Sequence, residues 1–90
     1  MRFVIKHEIR GRIRVHVLQK RMTYEQADIL QYYLLCNESV KLAKVYDRTC
    51  DAVINYTGDR EDVIRLLQEF HYQTVEVPAD VLATSGREVN

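Results

Sequence analysis

The chain has 90 residues, 47% of them hydrophobic, and its thirteen basic and thirteen acidic side chains cancel. That is enough for one folded domain with a single modest core and too little for two. A balanced charge gives no general drive toward nucleic acid or a membrane surface, and the apolar runs are too short for a membrane-spanning helix. The charged start does not read as a signal peptide, so a cytoplasmic location is expected. Cys36 and Cys50 stand apart with no CxxC, which fits reduced thiols better than a disulfide framework.

From the N-terminus, Phe3, Ile5, His7, Ile9, Ile13, Val15 and Val17 alternate with Val4, Lys6, Glu8, Arg10, Arg12, Arg14 and His16. This period of two predicts one long half-buried strand over residues 2–18, bent at Gly11 and central in its sheet. Thr23-Tyr24-Glu25-Gln26 has the pattern of a capping box, and Ala27, Leu30 and Leu34 follow at helical spacing as far as Asn37, a candidate left-handed stop. Residues 40–49 and 52–57 read as two strands joined by a turn around Asp47–Asp51. Asp59 can cap a second helix whose Val63, Ile64, Leu67 and Phe70 make one stripe. Thr74–Val77 is short, β-branched and stopped by Pro78, as an edge strand would be. Residues 79–90 lose all periodicity and read as a flexible tail or solvated linker, leaving a domain over 2–78.

The order β-α-β-β-α-β predicts an α+β, ferredoxin-like sandwich: a four-stranded antiparallel sheet with two helices on one face. Its other face would carry Lys6, Arg10, Arg12, Arg14 and His16.

The strand carrying His7-Glu8-Ile9-Arg10-Gly11-Arg12-Ile13-Arg14, with the capped helix, the pair over 40–55 and the Gly58 helix behind it, resembles the second type of heavy-metal-associated domain. Such domains stand at the cytosolic N-terminus of heavy-metal-translocating P-type ATPases. The resemblance implies a domain that contacts other cytosolic domains of a parent pump and meets a membrane only through the parent chain. The better-known heavy-metal-associated domain carries CxxC after its first strand, where two thiolates hold a soft cation. The corresponding loop here, Leu18–Met22, has no cysteine, so no metal ligand is carried over.

Read from the residues, Cys36 and Cys50 are either a packed hydrophobe and an incidental turn residue or a two-thiolate pair for zinc, cadmium or copper. His7 falls in the apolar register, where a satisfied rim histidine is the simpler account; His16 lies among arginines, which repel a cation; His71 ends the second helix, where positive charge suits the dipole. The basic row Lys6, Arg10, Arg12 and Arg14 is either a solvated face or a contact surface for anionic oxygens. An RNA-binding sheet would interleave aromatics with these residues, and the first strand has none, which argues against nucleic acid. Acylphosphatases share the topology and would nominate Arg21 and Asn55, but their glycine-rich anion loop is missing, and no catalytic constellation can be assembled from spacing. The expected function is a non-catalytic interaction domain of such a pump. The alternatives are a metal-binding or metal-delivery module using Cys36, Cys50 or histidine, and a self-associating module, a homodimer formed through exposed edges at Thr74–Val77 or Val40–Thr49.

Overall fold

In the computed structural model, which describes residues 1–76, the first strand folds back on itself. Strands β1 (Phe3–Ile9) and β2 (Arg12–Val17) pair antiparallel across a turn at Arg10 and Gly11, so the single bent strand expected over 2–18 is a hairpin. Gly11 makes this possible. Its φ of +81° lies in the left-handed region, and a Cβ there would stand 3.4 Å from the Tyr56 carbonyl oxygen. The Tyr56 N–H donates to the Gly11 carbonyl, locking the turn against the neighbouring strand.

The alternation also breaks, because the register shifts between Ile5 and His7. Phe3 and Ile5 lie opposite Val17 and Val15, whereas His7 and Ile9 lie opposite Arg14 and Arg12. His7 and Ile9 therefore leave the apolar set assigned to them from sequence. Glu8, assigned to the open face, takes the helix side, where the Arg60 Nε–H donates to its carboxylate.

Helix α1 (Tyr24–Leu35) starts with the expected capping box: the Gln26 N–H donates to Thr23 Oγ1, and the Thr23 N–H to Gln26 Oε1. It closes on Cys36 in ordinary right-handed conformation rather than on a left-handed Asn37. Strands β3 (Val40–Tyr46) and β4 (Asp51–Tyr56) form the expected hairpin, with Cys50 at φ 60° completing the turn. Helix α2 (Arg60–Gln68) is capped by Asp59, whose carboxylate accepts the Glu61 N–H.

The sheet order is β1-β2-β4-β3, antiparallel throughout. The fold is the ferredoxin-like α+β sandwich, with its split β-α-β-β-α running from β2 to α2. Its fourth strand comes from Phe3–Ile9, ahead of that unit. The strand expected at Thr74–Val77 is not formed within the described residues: Tyr72–Thr74 make a 3-10 turn, and Val77 lies outside them. The edge beside β2 is already taken by β1, so β-branched composition has no partner there.

Both helices cover the same face. Ile13, Val15 and Ile54 from the central strands are fully buried with Leu30 and Leu34 of α1 and Leu67 of α2. The Tyr33 hydroxyl ties α1 to α2 by donating to the Leu66 carbonyl at 2.6 Å, and its ring packs on Phe70.

Candidate functional site

The other face of the sheet is built by parity. With Ile13, Val15 and Val17 turned to the helices, Arg12, Arg14 and His16 must point outward from β2. The register places Asn55, Val53 and Asp51 of β4 beside them, and Leu42, Lys44 and Tyr46 of β3 beyond. Three rungs result: Arg12–Asn55–Leu42, Arg14–Val53–Lys44 and His16–Asp51–Tyr46.

Asp51 is the centre of this face and was missed in the sequence, where it read as one more turn residue. Its Oδ2 accepts from Lys6 Nζ at 3.2 Å and from Arg14 Nη2 and Nε at 3.0 and 3.3 Å. Its Oδ1 accepts from His16 Nδ1 at 2.8 Å. The carboxylate is only 1% exposed, beneath Lys6, Arg14 and His16 side chains that are themselves open to solvent. Burial alone would raise its pKa, but the hydrogen bonds from His16, Arg14 and Lys6, with the charge of Lys6, bring it down to about 2. The available signal was an acid opening a strand beside a basic one. It becomes specific only once the bulge in β1 swings Lys6 over the same point.

The basic row is therefore divided. Lys6 and Arg14 converge on Asp51, Arg12 stands free of it on the outer face, and Arg10 sits in the hairpin turn. Tyr46 supplies the aromatic that the first strand lacked: Arg14 Cζ and Lys44 Nζ lie 5.8 and 5.7 Å from its ring centroid. Val4, Ile9, Leu42 and Tyr46 are exposed here at 47%, 52%, 56% and 38%.

The remaining sequence candidates are not gathered. Cys36 is exposed after α1, while Cys50 is buried, its thiol pushed up by burial first and then by Asp51 and Asp47. They flank opposite ends of β3, a strand of seven residues reaching about 20 Å. His7 is exposed on the edge strand and His71 is exposed beyond α2. Among the described residues no group of three or more His, Cys, Asp or Glu could hold a metal ion. Arg21 follows β2, whereas Asn55 lies opposite Arg12 at its start, so the length of that strand separates the pair. No helix among the described residues is long and apolar enough to cross a membrane.

Each sheet edge is interrupted at a lysine. The register shifts around Lys6 in β1 and around Lys41 in β3, a combination that discourages strand-to-strand pairing between copies.

No family model, curated protein or solved structure matches this chain.

Proposed function

We propose that this chain is a non-catalytic docking domain of a heavy-metal-transporting P-type ATPase, which sets the outer face of its sheet against an acidic surface of the pump's other cytosolic domains and so modulates transport. The observation that carries the docking reading is the sorting of charge in a chain of zero net charge. The outer face bears Lys6, Arg12, Arg14 and Lys44 against Asp51. Helix α1 carries Glu25 and Asp28 with no Lys or Arg, and α2 with its caps carries Asp59, Glu61, Asp62 and Glu69 against Arg60 and Arg65. A flat basic face studded with exposed apolar side chains suits a partner of opposite potential, since complementary charge steers encounter and fixes register while apolar contacts supply affinity. The link to metal pumps rests on the likeness of the His7–Arg14 segment and of the β-α-β-β-α order behind it.

Two measurements test the two parts. The coding sequence beyond Asn90 should specify apolar helices and an Asp-Lys-Thr-Gly-Thr phosphorylation motif; a reading frame without them removes the pump. Calorimetry of the chain against the parent's phosphorylation and nucleotide-binding domains should detect binding that weakens with salt and falls roughly tenfold or more in an Arg12→Glu/Leu42→Glu variant. Binding indifferent to that variant would place the contact elsewhere.

A further inference from the structure

At one end of the outer face, where β3 enters the turn to β4, a groove of about 320 Å³ is lined by Arg14, Lys44, Arg48, Tyr46, Thr49 and Asp47. Its three cations come from three places: β2, β3 and the turn. Each arrives there for a reason in the fold. Arg14 is held by two hydrogen bonds to Asp51, which fix its guanidinium plane. Lys44 stands on the same rung as Arg14, with Val53 between them, and both approach the Tyr46 ring. Arg48 is exposed in the turn itself.

Like charges brought around one groove repel unless an anion joins them. Asp51 is already shared among Lys6, Arg14 and His16, and among the described residues Asp47 is the one carboxylate lining the groove beside its three cations. The positive excess, flanked by the hydroxyl-bearing Tyr46 and Thr49, matches a group with two negative charges and several acceptor oxygens.

We propose that this groove binds a phosphate-type dianion, with Lys44 and Arg48 supplying charge and the Asp51-anchored Arg14 supplying an oriented donor. The ligand's phosphate is either free in solution or the headgroup of an anionic lipid. The groove shares Arg14 and Lys44 with the docking face, but the docking test changes Arg12 and Leu42 and the test here changes Lys44 and Arg48, so the failure of one reading is distinguishable from the failure of the other.

The test is amide NMR of the 90-residue chain titrated with inorganic phosphate at constant ionic strength, with chloride as the balancing anion. A second arm uses phosphatidylcholine vesicles with and without phosphatidic acid. Saturable shifts centred on residues 44–50 are expected, weakened roughly tenfold or more in Lys44→Gln/Arg48→Gln and retained in Lys44→Arg/Arg48→Lys. A response to phosphate in solution assigns the free anion, and one confined to phosphatidic acid vesicles assigns the headgroup. Arg48→Gln alone, at an exposed turn position, repeats the comparison if the double variant loses its fold. The absence of saturable change in both arms, or a change untouched by the charge-removing variants, overturns the proposal.

Discussion

Asp51 gathers Lys6, Arg14 and His16 into one fixed arrangement. Its pKa of about 2 lies below the ordinary value of 3.8, so the folded state holds this proton less tightly than the unfolded one. The resulting stability is fully present above pH 4 and is lost as pH falls from about 4 to about 2; it amounts to roughly 2 kcal/mol at most. Urea unfolding across that range should show the loss in the parent and a flatter curve in Asp51→Asn. The same variant should cost roughly 1–3 kcal/mol at neutral pH, because its cations lose their partner. The equivalence of Arg12 and Arg14 implied by simple alternation does not hold. Arg12→Glu should leave the thermal midpoint near the parent's, whereas Arg14→Glu sets a second carboxylate beside Asp51 and should lower it. Equal midpoints for the two variants would contradict this geometry. Gly11→Val should also destabilise, by about 1–2 kcal/mol or more, since a β-branched residue is forced to a φ of +81°. A midpoint equal to the parent's would refute that.

At the level of elements, the helices were legible and the ends of the sheet were not. Thr23 and Gln26 form the cap their spacing implied, and Thr23→Ala should cost about 1 kcal/mol in chemical unfolding. Leu30, fully buried in the stripe of α1, should cost about 2–5 kcal/mol as Leu30→Ala. Both effects are local, so composition and spacing suffice to anticipate them. The first hairpin was hidden because two alternating strands joined by Arg10-Gly11 present the same pattern as one long strand. The register shift near Lys6 then cancelled the only clue, the parity of the far strand. At the other end, the β-branched run from Thr74 carries strand composition, yet strand formation depends on a free partner. Phe3–Ile9 occupies that place. Cys50 was likewise anticipated as a turn residue, but its burial follows from the close approach of Gln19, whose carbonyl faces the thiol at 3.9 Å.

For the molecule as a whole, the zero sum of charges concealed how they are arranged. Secondary structure separates them: the helical layer takes an acidic surplus, and strand parity sends Arg12, Arg14 and Lys44 to the far side of the sheet. This separation leaves one face of the sheet basic, a feature that the total charge cannot show. The segregation itself is open to a direct measurement. Methyl relaxation should be recorded with an anionic soluble nitroxide and again with a neutral one. The anionic probe should accumulate at the outer face, broadening Ile9, Leu42 and Val53 more than Leu35 at the end of α1, relative to the neutral probe, with the difference fading in high salt. Equal broadening of the two layers, or a preference of the anionic probe for the helices, would contradict the account.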